Sequence, residues 1–310
     1  MALTALFGVV ASSGSVFVSI AGMTAGGYIG SPIDTVYKFA FPTDSRSLGT
    51  SLSEVLNNPA GMSNNGVAAL VAAGGDGGTN KDIVNKFIFA TDVRSTISAT
   101  TSAPRRGGAA CSNSGTAGYY GAGLGNSGRL DVVDKFAYAD DTRSVTTSLS
   151  NAIDSLGSMA NSGTAGYWGG GYRPGATTTT IVDKMTFSDD SRASLGTGLA
   201  AQRTALTGMA NSGTAGYFGG GNNSGWQTSV DKFTFSDDSR TTLSAVLSVA
   251  RGYMGGFADS GVAGYFAGGS GSYEDAVDKF AFSDDSRTTL AAGLAVGVES
   301  LCGYANCESL

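Results

Sequence analysis

The chain contains no histidine, which removes the commonest general base and the commonest metal ligand together. Cysteine is nearly absent: Cys111, Cys302 and Cys307 are an odd, sparse set for 310 residues and do not resemble a disulfide framework. Cys302 and Cys307 lie five positions apart, so on one strand they point to opposite faces and cannot pair with each other. Free buried thiols, and assembly in a reducing compartment, are expected. Charge is also scarce, at 14% of residues with a formal net charge of −6. No Lys/Arg cluster exceeds Arg105–Arg106, so nucleic acid is not an expected partner. No apolar run is long enough to cross a bilayer as a helix, and membrane insertion is not expected.

Proline is rare (5 residues) while glycine is abundant (48 residues). Such a mixture fits a low-complexity coil, but 41% hydrophobic residues and a strict internal period argue for folded structure. The period is marked by the lysine of a recurring V-D-K-F string: Lys38, Lys86, Lys135, Lys184, Lys232 and Lys279, spaced 48, 49, 49, 48 and 47 residues apart. A fixed spacing of this size is the signature of supersecondary repeats that cannot bury an apolar face alone. The copies run over approximately 5–56, 57–105, 106–154, 155–204, 205–251 and 252–300, with 301–310 left as a closing or spare strand of one domain spanning 1–310.

In the fifth copy, four short segments are bounded by turn residues: Leu206–Asn211, Thr214–Gly221, Ser229–Phe235 and Arg240–Leu247. The third alternates with the period of a strand, and the S-D-D-S between third and fourth is an Asp/Ser turn of hairpin length. The fourth is short for a helix. Four antiparallel strands repeated six times predict an all-β, six-bladed β-propeller, whose closure removes the exposed edges of an open array. The small residues of the first two segments suit positions near an axis. Phe39, Phe87, Phe136, Phe233 and Phe280, with Met185 in the fourth copy, are expected to fill the wedges between blades.

A double glycine after an apolar strand, a variable loop, an aromatic strand, then Leu and Arg (here Gly220–Gly221, Phe233, Leu243 and Arg251) resembles the kelch repeat. The kelch tryptophan position reads Thr or Ser here, and its Tyr-Asp pair becomes Lys-Phe. GYFGGG with D-K-F-x-F-S-D-D-S-R also resembles repeat proteins among the virion structural proteins of tailed phages, cyanophages especially. That resemblance implies a virion component made in a host cytoplasm, a tail fibre, tail tip or capsid-associated part, docking to other structural proteins or to a cell-surface glycan. The alternatives are an intracellular, cytoplasmic kelch-type adaptor with a protein partner and a glycan-acting propeller enzyme, and the cell surface is the alternative location for a docking component.

The termini repeat the first segment twice over. Leu6–Gly14 and Gly303–Ser309 both match it, so either end can close the first blade, or a spare strand can pair with another copy in a homo-oligomer. Leu301, Gly303, Tyr304 and Asn306 are the candidate closure residues. The N-terminal stretch has the apolar character of a signal peptide without its basic start. Because it aligns with the fifth copy, Ser15–Gly22 against Thr214–Gly221, it is read as mature structure.

Candidate sites divide into what recurs and what varies. The acidic turns (Asp140–Asp141, Asp189–Asp190, Asp237–Asp238, Asp284–Asp285, with single Asp44 and Asp92) lack the spacing of a calcium loop. They are read as turn caps whose carboxylates the adjacent Arg192, Arg240 and Arg287 satisfy. Each repeated Lys is expected to pair with a nearby Asp, and Asn113, Asn161 and Asn211 to converge on the axis. The glycine strings lack the G-x-x-x-x-G-K-[ST] of a phosphate loop, and no nucleophile–base pair stands out. No cofactor, no metal and no enzymatic activity are therefore expected. The loops after the glycine runs differ in every copy and emerge on one face, where binding usually resides. They present Tyr28, Arg129, Tyr172, Arg173, Trp226 and Tyr273, the side-chain types that protein or glycan contacts use.

Overall fold

The computed structural model describes residues 21–41, 43–175 and 177–306. Within them the chain forms six antiparallel sheets, each built on four strands and succeeding one another around a central axis. In the fifth blade the strands from the axis outward are Thr207–Asn211, Ala215–Gly219, Val230–Thr234 and Ser239–Thr242. The chain is thus an all-β, six-bladed propeller. Its lower face carries the N-S-G turns and the acidic turns. Its upper face carries the variable loops and the connectors between blades.

The first blade shows how the ring closes. Its inner strand is Cys302–Asn306, antiparallel to Ala21–Ala25, with Cys302 opposite Ala25 and Asn306 opposite Ala21. Val36–Ala40 and Ser45–Leu48 complete that sheet. Leu301 and Tyr304 are buried on either side of this strand, in the wedges facing the sixth and second blades. Gly303 faces the Gly256 backbone across the axis region. Leu6–Gly14, the other candidate for this place, and Cys307 lie outside the described residues.

Two details differ from the sequence reading. The second strand of the first blade is Ala21–Ala25, not the stretch 15–22. In every blade this strand must meet the third in register: Gly219 stands opposite Val230, and the same eleven-residue interval places Ala25 opposite Val36. The outer strands are also shorter than expected. After Thr242 the chain turns inward, with Leu243 N–H donating to Val230 O and Leu247 N–H to Thr228 O. Both leucines therefore enter the wedge from irregular backbone.

The wedges hold the core. Phe39, Phe136, Met185, Phe233 and Phe280 are buried there, joined by second-strand rings such as Tyr167, Trp168, Tyr217 and Phe218. The glycine of each A-G-Y string exists because the preceding blade's inner strand inserts a large side chain at that point. A Cβ on Gly216 would stand 2.1 Å from Met159 Sδ, and one on Gly264 2.2 Å from Met209 Sδ. Cys111 fills the same role against Gly166. It and Cys302 are free and buried, and burial pushes both thiols well above the ordinary range, Cys302 to about 12.

The recurring charges stitch blade to blade. Each third-strand lysine crosses to the acidic turn of the next blade: Lys38–Asp92, Lys86–Asp141, Lys135–Asp190, Lys184–Asp238, Lys232–Asp285 and, closing the circle, Lys279–Asp44. Tyr119, Tyr167, Tyr217 and Tyr265 donate to four of the same carboxylates at 2.8–3.0 Å. The receiving aspartates all adopt φ between 51° and 59°, a conformation Asp tolerates. The preceding residue caps the turn instead. Asp140, Asp189, Asp237 and Asp284 accept the backbone N–H two residues on at 3.0–3.1 Å. Thr43 and Thr91 do so in the first two blades, which is why those turns carry one aspartate.

The arginines beside these turns do not satisfy them, contrary to expectation. Arg192, Arg240 and Arg287 reach back to third-strand Asp183, Asp231 and Asp278 at 3.6, 3.7 and 3.3 Å. The register explains this: Arg240 stands opposite Phe233, and Asp231 shares that face of the sheet. A second set of arginines, at the end of L-x-x-x-R for Arg203 and Arg251 and of T-x-x-x-R for Arg105, is buried in the wedge. Arg105–Asp134, Arg203–Asp231 and Arg251–Asp278 pair at 2.8–2.9 Å in the third, fifth and sixth blades. The equivalent positions in the second, fourth and first blades hold Leu56 with Asn85, Ile153 with Asp183, and Val298 with Tyr37.

Asn113, Asn161 and Asn211 do not point down the axis. Each accepts the N–H of a glycine in the next blade's turn (Gly163, Gly213 and Gly261) at 2.8–2.9 Å. Beside them, Ser114, Ser162 and Ser212 each donate their backbone N–H to the hydroxyl of the following serine at 2.9–3.1 Å. The lower rim is thus committed to holding blades together.

Candidate functional site

On the upper face every connector between blades pairs with the variable loop of the blade it leads into. Asn57 meets Gly75, Asp154 meets Tyr172, Thr204 meets Asn222, Gly252 meets Ser270 and Glu299 meets Tyr28. In the third blade the pairing extends to a two-residue ladder, Arg106 opposite Leu124. These contacts fix the loops against the ring, which gives their side chains defined positions.

Two residues beyond each buried Arg, or its apolar replacement, the chain enters a left-handed conformation beside the axis. Asn58, Gly107, Ser155, Ala205, Tyr253 and Ser300 have φ between 49° and 65°. Their backbones form a closed circle of hydrogen bonds, each N–H donating to the equivalent carbonyl of the preceding blade at 2.6–3.1 Å. The backbone is uniform around this circle while the side chains are not. Where Gly107 suffices, Tyr253 is retained at a strain cost of about 1–2 kcal/mol.

Above the circle, offset toward the third and fourth blades, opens a cavity of about 440 Å³. Asn58, Arg106, Arg129, Asp154, Tyr172 and Tyr253 line it, with Ser155 and Thr204. The Arg129 guanidinium lies 4.6 Å from the Tyr172 ring centroid and its Nε is 2.5 Å from an Asp154 carboxylate oxygen. Burial pushes the Asp154 carboxyl up, and the Ser155 hydroxyl and Arg129 act against that rise. Ser155 Oγ donates to the other Asp154 oxygen at 2.8 Å and stands 3.4 Å from the Tyr253 hydroxyl. Burial raises the Tyr253 hydroxyl as well.

The variable-loop residues fall into separate groups. Arg129 and Tyr172 meet in the cavity wall. Arg173 sits beside them on a short hairpin, Tyr172–Arg173 against Thr177–Thr178. Trp226 packs edge-on against Tyr253, with ring centroids 6.2 Å apart. Tyr28 stacks on Tyr273 at 6.3 Å, on the far side of the axis from the cavity, and Tyr273 is exposed. Sequence reasoning missed Asn58, Arg106, Asp154, Ser155 and Tyr253. The usable signal is the position two residues beyond each buried Arg or its apolar replacement, which reads Asn, Gly, Ser, Ala, Tyr and Ser in successive copies.

The cavity lining offers planar and hydroxyl hydrogen-bonding groups, aromatic edges and two guanidinium groups. It contains a single carboxylate, whereas two-carboxylate glycoside hydrolysis needs a pair about 5–10 Å apart. Among the described residues no three Cys, Asp or Glu side chains are grouped to hold a metal ion. No protein-family model matches the chain, and no curated protein matches it either.

Proposed function

We propose that the protein is a non-enzymatic docking module that engages a protein or glycan partner through its upper face. The asymmetry of the two faces carries this reading. The lower face repeats, and its Asn, Ser, Asp and Lys side chains are spent on bonds between blades. The upper face carries the residues that do not repeat: Tyr28, Tyr172, Trp226, Tyr253 and Tyr273, with Arg106, Arg129 and Arg173, on loops tied to a rigid ring. Rings and arginines on a fixed scaffold make contact area at low entropic cost. The kelch-like pattern fits such a module, and the resemblance to phage virion repeats favours a place in a larger particle.

The test is capture of the labelled chain on a glycan array and on a panel of bacterial cells. Trp226→Ala with Tyr273→Ala is expected to abolish capture, while Val262→Lys on the lower face leaves it unchanged. Loss through the lower-face variant alone, or turnover of a captured glycan, would overturn the reading.

A further inference from the structure

Every lysine in the chain, and most of its arginines, stands within 4.0 Å of a carboxylate. Among the described residues the exceptions are Arg46, Arg94, Arg106 and Arg173. Arg46 donates to the Gly293 carbonyl at 2.7 Å, and Arg94 lies on the outer strand of the second blade. The other two are on the upper face. Arg106 lines the 440 Å³ cavity, and its one hydrogen bond is a long one, 3.3 Å to Asn80 Oδ1. Arg173 is adjacent to lining residue Tyr172, and its Nε is buried without a hydrogen-bond partner. In a chain of net charge −6, an arginine that lines a cavity with no carboxylate within 4.0 Å, and a second next to a lining residue, are exceptions to how the molecule disposes of positive charge.

We propose that this cavity binds an acidic sugar, a uronate or sialate residue, with Arg106 receiving its carboxylate. The inference rests on the docking role of the upper face and specifies its ligand. Arg129 is held by Asp154 and Tyr172, so it shapes the wall and leaves Arg106, which donates only to a neutral amide oxygen, as the guanidinium fork without a counter-charge, a shape that matches a carboxylate. Arg106, Arg129 and Asp154 together leave one positive charge, which suits a monoanion better than a phosphate dianion. The volume falls in the range of small-molecule sites. Asn58, Ser155 and Thr204 supply the amide and hydroxyl partners that ring hydroxyls need. An extended acidic peptide would find these neutral groups of little use.

Binding is read by saturation-transfer NMR and calorimetry with sodium D-galacturonate, D-glucuronate and N-acetylneuraminate, using D-galactose as the uncharged counterpart. At least one acid is expected to bind about tenfold or more tighter than galactose, the effect of one charge-assisted contact. Arg106→Gln removes that preference, and Arg106→Lys, which keeps the charge without the fork, restores part of it. Each variant's urea midpoint shows whether it is folded. No preference for any of the three acids overturns the proposal. So does an Arg106→Gln variant that keeps the preference, or stronger binding of inorganic phosphate or of a hexaglutamate peptide. Capture of neutral glycans through Trp226 and Tyr273, with no acid preference, would sink this inference and leave the docking role standing.

Discussion

Replacing Arg203 by Leu tests how the wedges handle buried charge. Asp231 is fully buried, and its Oδ2 takes the Arg203 guanidinium at 2.8 Å and the Ala200 N–H at 3.0 Å. Its Oδ1 takes the Thr242 hydroxyl at 2.7 Å, with Arg240 at 3.7 Å. Arg203→Leu therefore strands a buried carboxylate with two neutral donors and one distant cation, a loss of about 3–5 kcal/mol. Asp231→Asn leaves the buried guanidinium with neutral acceptors on Ser229 and Phe218 but no counter-charge, and costs a similar amount. The chain itself supplies the double replacement: in the second blade the same two places hold Leu56 and Asn85, and Asn85 Oδ1 accepts the Ser53 N–H at 3.0 Å as Asp231 accepts that of Ala200. Arg203→Leu/Asp231→Asn is accordingly expected to lie within about 1.5 kcal/mol of the parent, giving a coupling of several kcal/mol between the sites. Urea unfolding of the four proteins at pH 7 measures it, as a shift of midpoint at constant slope. A double variant as unstable as the sum of the singles would falsify the view that the apolar and ionic pairs are alternative fillings of one niche.

Four further outcomes follow from the packing. Tyr119, Tyr167, Tyr217 and Tyr265 have hydroxyls pushed above the ordinary value near 10, first by burial and then by their bonds to Asp190, Asp238, Asp285 and Asp44. The unfolded chain then loses these protons first, so stability holds below pH ~10 and falls as pH rises beyond it; a urea midpoint unchanged between pH 9 and 11 contradicts this. Tyr304 is buried against Phe87 and its hydroxyl has no partner, so Tyr304→Ala should cost about 3–5 kcal/mol while Tyr304→Phe costs nothing. Deleting 301–310 should open the ring, read as lost stability or a new mass by light scattering; no change in either removes the closing role of that strand. In a Cys307→Ser background, Cys111 and Cys302 should stay unreactive to a thiol reagent until denaturant is added, and fast labelling of the native protein would contradict their burial.

Blade count and strand order were legible because they depend on spacing alone: the V-D-K-F lysines and the turns after them recur at a constant interval. Partner choice was not. Lys184 has acidic turn residues in its own blade, Asp189 and Asp190, yet its ion pair is with Asp238 in the next. Contacts between blades join residues about one repeat apart, and no local pattern shows which of two equivalent carboxylates faces a given lysine. The first blade misled for a different reason. Val16 to Ile20 carries a ring, Phe17, as the second strands of the third to sixth blades do, whereas Ala21–Ala25 has no ring at all. Its neighbours reveal why: Phe257 of the sixth blade fills the space over Gly22, so the wedge gets its aromatic from the other side.

The variable loops were legible from their variation, whereas the circle residues beside the axis were not, because their side chains follow no repeated motif. The circle through Asn58, Gly107, Ser155, Ala205, Tyr253 and Ser300 is held by backbone hydrogen bonds, and those bonds are indifferent to the side chain attached. Glycine is the least strained residue for such a φ, and the third blade uses it. That the other five do not means the circle is a frame on which side chains can be exchanged at modest cost. Stability in this protein is therefore concentrated in the wedges and the lower rim, where each residue type is dictated by the blade next door. Freedom to vary is left to positions such as those of the circle, where the neighbouring blade asks only for an N–H and a carbonyl.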